Sequence, residues 1–262
     1  GTRSSRESSG VSTHHLLPMR RFFASIIDPL VSFVQNSIPP GPKCVPLRYV
    51  INFQKGGTLL FVMGLMVYFQ TFTTTAWLYL ALHGSYGFVW LLKDQIFPDP
   101  VWARKVTVMS AVMAFVTVLG PYWIAPYIIV STKVEVPVPL ISMCVFVHTL
   151  GCVVMMCSDC QKYFTLRIKQ GLITNGFFRL TRNPNYVGEC MIYGTYAVLA
   201  QHWIPFAVLA YVWGVLFYNN MLRKEASFQT KEGWVEYSRQ SWMFFPRFLG
   251  PSVVVRPASK SE

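Results

Sequence analysis

Apolar residues in this chain come in long blocks and do not alternate or recur every third or fourth place. Four blocks carry no Asp, Glu, Lys or Arg: Gly56 to Leu92, Val106 to Thr132, Val136 to Ser158, and Cys190 to Leu222. A helix that crosses a bilayer needs about 20 apolar residues. The second and third blocks fit one crossing each. The first and last suit a helical hairpin each, broken at Thr73-Thr74-Thr75 and at Gln201-His202-Trp203-Ile204-Pro205. The pattern predicts an all-α, polytopic integral membrane protein with about six crossings, the last two forming a C-terminal hairpin. A soluble helix bundle is the alternative, but soluble helices rarely run so far without charge.

Composition agrees with the blocks. Of 262 residues, 53% are hydrophobic and only 13% charged, against about 25% charged in an ordinary soluble domain. The net charge of +12 changes the picture through its placement. With six crossings, loops 93–105 and 159–186 share a face with both termini. They hold Lys93, Arg104, Lys105, Lys162, Arg167, Lys169, Arg179 and Arg182, whereas the opposite loops hold Lys133 beside Glu135, and His202. Positive residues stay on the untranslocated side, so the asymmetry orients the chain and supports an even number of crossings. A nucleic-acid partner is not indicated, because the basic residues flank membrane segments and form no stripe on a soluble domain.

The ends read differently. Residues 1–13 are polar and Ser-rich, with no capacity to bury a core. Residues 19–34 join a basic start to Phe, Ile, Leu and Val, the pattern of an interfacial helix. "PPGPKCVP" (39–46) follows as a stiff linker. The chain thus divides into an N-terminal extension, 1–46, and a transmembrane domain, 47–262. A Gly start with a Ser/Arg-rich, nearly acid-free stretch fits a chain that has lost an organellar presequence. This favours the mitochondrial inner membrane, with the endoplasmic reticulum as the alternative. Polar tails order when a partner surface holds them, which points to other membrane protein subunits as partners alongside lipids.

Chemistry concentrates at the entrance to the last apolar block, "RLTRNPNYVGE" (179–189). Asn183 suits an N-cap and Pro184 the first helical position. A helix starting there turns its unpaired N–H groups and positive dipole toward Arg182, a corner for an anion. Gly188 lets a ligand or a neighbouring helix come close. If the hairpin turns near Trp203, equal rise places Glu189 level with Tyr218, Asn219 and Asn220. Arg223, Lys224 and Glu225 then lie just above, and Trp234, Tyr237, Trp242 and Phe244 can cover the site. Opposite charges at the mouth of an apolar cavity suit a zwitterionic or phosphorylated cofactor meeting a lipid-type substrate. Interfacial anchors and charge pairs without a ligand are the alternative. His83, next to Gly84 and Gly87, is a candidate for the substrate cavity, against a role as a packed histidine; His148 is similar. Asp159 and Lys162, three apart, suit a pair with each other. Cys157 and Cys160 have redox or metal spacing, but no second pair or nearby histidine completes a metal site.

These residues carry a resemblance. "GLITNGFFRLTRNPNYVGE", "RKEASFQTKEGWVEY" and "FFP" resemble the C-terminal signature of a membrane superfamily, over roughly residues 170–248. It includes isoprenylcysteine carboxyl methyltransferase, phospholipid methyltransferases and the sterol and steroid 5-alpha-reductases. "LHGSYGFVWLLKDQIFPD" and "CSDCQKYFTL" are similar to pieces of a eukaryotic branch of it. The resemblance implies a pocket in the C-terminal helices for S-adenosylmethionine in methyltransferase members, or NADPH in reductases. Arg182, Asn183, Pro184, Tyr186, Gly188, Glu189, Arg223 and Tyr237 would bind the cofactor. Glu225, where the second acidic group of the signature stands, and Tyr193 would be catalytic. Asn183 replaces a common histidine and Lys224-Glu225 replaces a Glu-Glu pair, so the site departs from the best-known enzymes. Three functions stay open: methyl transfer from S-adenosylmethionine to a lipid-type acceptor, reduction of a sterol or enone with NADPH, or an accessory subunit of a large mitochondrial inner-membrane assembly, possessing the fold without needing a bound cofactor.

Overall fold

The structure, a computed structural model, describes residues 22–27, 29 and 41–247. Among them the chain makes six helical passes. These are α1 Leu47–Tyr68, α2 Thr74–Ile96, α3 Val108–Ser131, α4 Val138–Ile168, α5 Pro184–Leu199 and α6 Trp203–Phe228, followed by a short helix α7, Trp234–Gln240. Four of them, α1, α3, α4 and α6, are long and apolar enough to cross a membrane. The chain is an all-α integral membrane protein, as the apolar blocks indicate. Its only strands among the described residues, β1 Val45–Pro46 and β2 Lys105–Val106, pair antiparallel and tie the entry of α1 to the loop before α3. Two passes are interrupted. α3 loosens into a π turn at Phe115–Leu119 and tightens at Gly120–Trp123, and α6 has a π turn at Trp213–Phe217.

The expected breaks fall where predicted. Thr73 caps α2 by accepting from the Ala76 N–H at 3.2 Å, and His202 caps α6 by accepting from the Ile204 N–H at 3.2 Å. All three turns at this end are closed by a non-glycine residue in the left-handed region: Gln70 (φ 50), Lys133 (φ 53) and Gln201 (φ 48). That conformation costs roughly 1 kcal/mol per residue. At Gln70 and Gln201 the side-chain amide donates back to the carbonyl three residues earlier, at 2.6 and 2.7 Å, offsetting part of it. Glu135 is also accounted for here: its carboxylate accepts from the Thr74 N–H at 2.9 Å and the Thr75 hydroxyl at 3.2 Å, bracing α2 against the turn after α3.

Glycines set the tightest helix contacts. At the α4–α5 crossing a Cβ on Gly188 would come within 2.6 Å of Gly151 O and Met155 N, and one on Gly151 within 2.8 Å of Gly188 O. At α1–α2, a Cβ on Gly87 would sit 2.2 Å from Lys55 O. Small residues let backbones approach where lipid supplies no hydrophobic drive between helices.

Two expectations need correction or bounding. Asp159 pairs with Lys93 of α2, and Lys162 pairs with Asp99 at 2.8 Å; they do not pair with each other. Residues three apart on one helix lost to partners on a neighbouring element, because burial rewards an inter-helix pair that also satisfies Lys93. At Asp99, burial would raise the pKa, but the Lys162 ammonium and the Val101 N–H hold its carboxyl below the usual range. Of the expected interfacial helix 19–34, only 22–27 and 29 are described; they include a π turn, Phe23–Ile27, whose Phe23 ring meets Tyr218 edge-on at 5.1 Å. The remainder of that segment and the polar tails lie outside the described residues.

Candidate functional site

The last two passes fold back on each other, and their charged ends meet. Arg182, just before α5, forms a two-point ion pair with Glu225 of α6: Nε to Oε1 at 2.6 Å and Nη2 to Oε2 at 3.0 Å. Both residues are buried, at 9% and 8% exposure. Nη1 donates to the Ser241 carbonyl and hydroxyl, and the guanidinium lies over Trp234 at 5.2 Å. Every nitrogen of Arg182 is thus engaged within the chain, and so are both oxygens of Glu225. The anion-binding and catalytic roles expected of these two each require breaking this pair.

The C-terminal return completes a clasp. Arg182 N–H donates to Trp242 O at 2.9 Å, Trp242 N–H to Leu180 O at 3.2 Å, and the Thr181 hydroxyl to Phe244 O at 2.6 Å. Asn183 occupies the N-cap position, but its side chain does not cap the helix. Its amide instead donates to Met243 O at 2.8 Å and accepts from Lys224 Nζ at 3.2 Å. Pro184 is the first residue of α5, as predicted. Tyr237 is buried and donates to Phe178 O at 2.8 Å; burial pushes its hydroxyl pKa up, which keeps it protonated as a donor. Gly188 faces α4, so the close approach it permits is a helix and not a ligand.

Below the clasp the pattern changes. Tyr186 stacks on Phe217 at 4.6 Å and bonds Asn220, and Lys224 Nζ lies over its ring at 4.4 Å. The hairpin register is therefore close to the expected one. Glu189, one turn deeper and half-buried, has no hydrogen-bond or ion-pair partner among the described residues. Lys55, Lys93 and Lys224 act on it electrostatically, with Asp159 opposing. Arg223 is exposed and lies in the field of Arg104, whose pKa is lowered by burial and then by Arg223. A half-buried carboxylate in the field of three lysines, one turn beyond a stacked tyrosine that carries the Lys224 ammonium over its ring, forms a mixed-charge shelf.

Deeper still, Tyr193 stacks on Tyr122 at 4.2 Å, and its hydroxyl is buried without a partner. His83 is fully buried: Nδ1 meets the Tyr79 hydroxyl at 2.8 Å, its face stacks on Tyr196 at 4.3 Å, and Nε2 has no partner. Packed side chains surround it, not the expected substrate cavity. His148 Nε2 meets the Tyr196 hydroxyl at 3.0 Å. Sequence reasoning missed Lys55 of α1, which is 4% exposed and surrounded by Tyr86, Trp90 and Tyr193. Its signal was present: Ile51, Lys55, Thr58 and Val62 share one buried helical face.

Residues 140–231 match the family model for phospholipid methyltransferase, which covers α4 to α6. That segment is a domain of this family, within the superfamily that includes isoprenylcysteine carboxyl methyltransferases and steroid reductase-like proteins, so the protein is methyltransferase-like. No curated protein matches the chain.

Proposed function

We propose that the protein transfers a methyl group from S-adenosylmethionine to a lipid-type acceptor. The observation that carries this is the unpartnered Glu189 carboxylate beside Lys224 and Tyr186, inside the segment that matches the phospholipid methyltransferase family. The residues fit a zwitterionic, amino-acid-bearing donor: Glu189 for its ammonium and Lys224, which Tyr186 holds under its ring, for its carboxylate. When bound, that group supplies an already activated methyl, so the chain's task is positioning. Arg182, Glu225, Ser241 and Tyr237 hold the hairpin and the C-terminal return closed. Glu189 and Lys224 bind and orient, and Tyr186 positions Lys224. Tyr193, one helical turn after Glu189, packs against Tyr122 and Tyr86 and supports that part of α5 from the interior.

A groove of about 350 Å³ between α4, α5 and α6 supports a lipid-type acceptor. Its walls include Val147, Met191, Val198, Phe206 and Trp213, and it begins at Cys190, level with Glu189. The reductase reading loses support, because Arg182, which it needs for an adenosine phosphate, is spent on Glu225. The accessory-subunit reading drew on the polar tails, which lie outside the described residues.

The test uses the full chain in nanodiscs of mixed phospholipids with methyl-labelled S-adenosylmethionine. Label in the lipid fraction is the expected result. Clear NADPH binding with no binding of S-adenosylmethionine would transfer the protein to the reductases.

A further inference from the structure

The stretches 82–99 and 157–166, which lie on different passes, meet near the basic face. Lys93 of α2 pairs with Asp159 of α4, and both are buried. Lys162 pairs with Asp99 at 2.8 Å, and the Phe97 and Tyr163 rings lie 6.4 Å apart. Between them they leave a cavity of about 410 Å³. Phe97 and Asp99 line one side of it, and Lys162, Leu166, Arg167 and Gln170 line the other.

The helix α4 runs for 31 residues, about 46 Å, which exceeds a hydrocarbon layer of about 30 Å. Its charge-free run ends at Ser158. The cavity therefore begins where α4 leaves the apolar layer, on the face of the positive loops. The α2 side of its wall, 93–100, lies outside the segment that matches the phospholipid methyltransferase family. None of its residues binds the donor in the methyl-transfer reading, so either can fail without the other.

The charges in the cavity do not cancel. Two aspartates meet three cations, and each aspartate is matched by one lysine. Asp99 is further satisfied by the Val101 N–H at 3.0 Å. Arg167 is left over: it is exposed, and no carboxylate among the described residues lies at ion-pair distance from it. Its Nη1 donates to the Tyr163 hydroxyl and its guanidinium lies over that ring at 5.1 Å, which leaves most of the fork open. Lys162 gives one of its three protons to Asp99, and Gln170 gives one N–H to the Leu166 carbonyl. Spare donors on three side chains suit a tetrahedral oxyanion, whose oxygens point several ways, better than a flat carboxylate. Phe97 and Leu166 offer an apolar wall to whatever carries it.

We propose that this cavity binds a phosphate monoester, held by Arg167 and Lys162 with Gln170 beside them. Two sources present that group at a membrane surface: a soluble phosphomonoester from the aqueous side, and phosphatidic acid from the adjoining lipid. The recognition is the same for both.

The experiment measures binding of radiolabelled glycerol 3-phosphate, the portion common to both sources, to the full chain in dodecyl maltoside, which contains no phosphate. Saturable binding is expected. Arg167→Ala should weaken it about tenfold or more. Leu166→Trp, which fills the cavity without changing its charge, should do the same. Lys169→Ala removes an exposed cation two residues from Arg167 that does not line the cavity, and should change affinity less than about twofold. Competition by dihexanoyl phosphatidic acid separates the sources: about tenfold tighter binding than the probe assigns the lipid, and binding no tighter assigns a soluble ligand. Four results overturn the proposal: no saturable binding, equal losses from Arg167→Ala and Lys169→Ala, full affinity in a folded Leu166→Trp, or acetate competing as well as phosphate. Should Leu166→Trp fail to fold, the comparison of the two exposed cations decides alone.

Discussion

Two cation–carboxylate sets lie within a few helical turns of each other and are built in opposite ways. In the clasp, Arg182 and Glu225 spend every charged atom on each other or on Ser241. One level deeper, Lys55 and Glu189 feel each other's charge but make no ion pair. A closed pair holds structure in place, because a ligand would have to displace partners already at ideal distance. An open pair is poised to receive something, because desolvated charges without contacts are costly unless a ligand or a movement completes them. The most legible residues of the motif are thus spent on holding the hairpin and the C-terminal return together, and the less conspicuous ones are left open.

The largest expected effect breaks the closed set. Arg182→Ala leaves Glu225 buried and unpaired, and should cost about 3–5 kcal/mol. It should lower the thermal transition in detergent and expose the 241–247 return to protease. Replacing the pair together, Arg182→Met with Glu225→Gln, should recover part of the loss; if the double variant is no better than the single, the clasp is not what the ion pair stabilises. Next in size, Gly188→Ala puts a methyl within 2.6 Å of backbone atoms of α4. Such overpacking costs about 1–3 kcal/mol, read as a lower transition with Arg182 and Glu225 untouched.

The smallest effect concerns Asp99 and Lys162. Asp99 is held below its ordinary value of 3.8, so the sign is that of a depressed carboxylate. Its contribution is present above that value and is lost as pH falls through the lower, folded one. Asp99→Asn should therefore flatten the acid limb of a stability profile while leaving stability at neutral pH only slightly reduced. An acid limb identical to the wild type would remove Asp99 from the account.

The sequence read well where one physical signal dominates. Charge-free blocks gave the passes and their turns, since a bilayer imposes length and apolarity with little room for exceptions. The return of Glu225 to Arg182 followed from equal rise on two helices. Lys55 and Lys93 show where that logic stops. Each ends an apolar block, so each reads as a membrane boundary, yet α1 begins eight residues before Lys55 and both lysines are buried. Charge marks a boundary only when it faces water; here Asp159 takes one lysine and aromatic rings take the other. Likewise Asp159 and Lys162 look like a local pair because spacing along one helix is visible, whereas a partner on another pass is not. Asn183 was legible as the start of α5, but its side chain serves Met243 and Lys224.

The division between scaffold and chemistry is tested most directly by comparing Glu225→Gln with Glu189→Gln, measuring thermal stability without ligand and affinity for S-adenosylmethionine. Glu225→Gln should lower the transition yet bind the donor nearly as the wild type does when folded. Glu189→Gln should keep the transition and weaken donor binding about tenfold or more. The reverse result, a stable Glu225→Gln that no longer binds beside a Glu189→Gln that binds normally, would contradict the assignment.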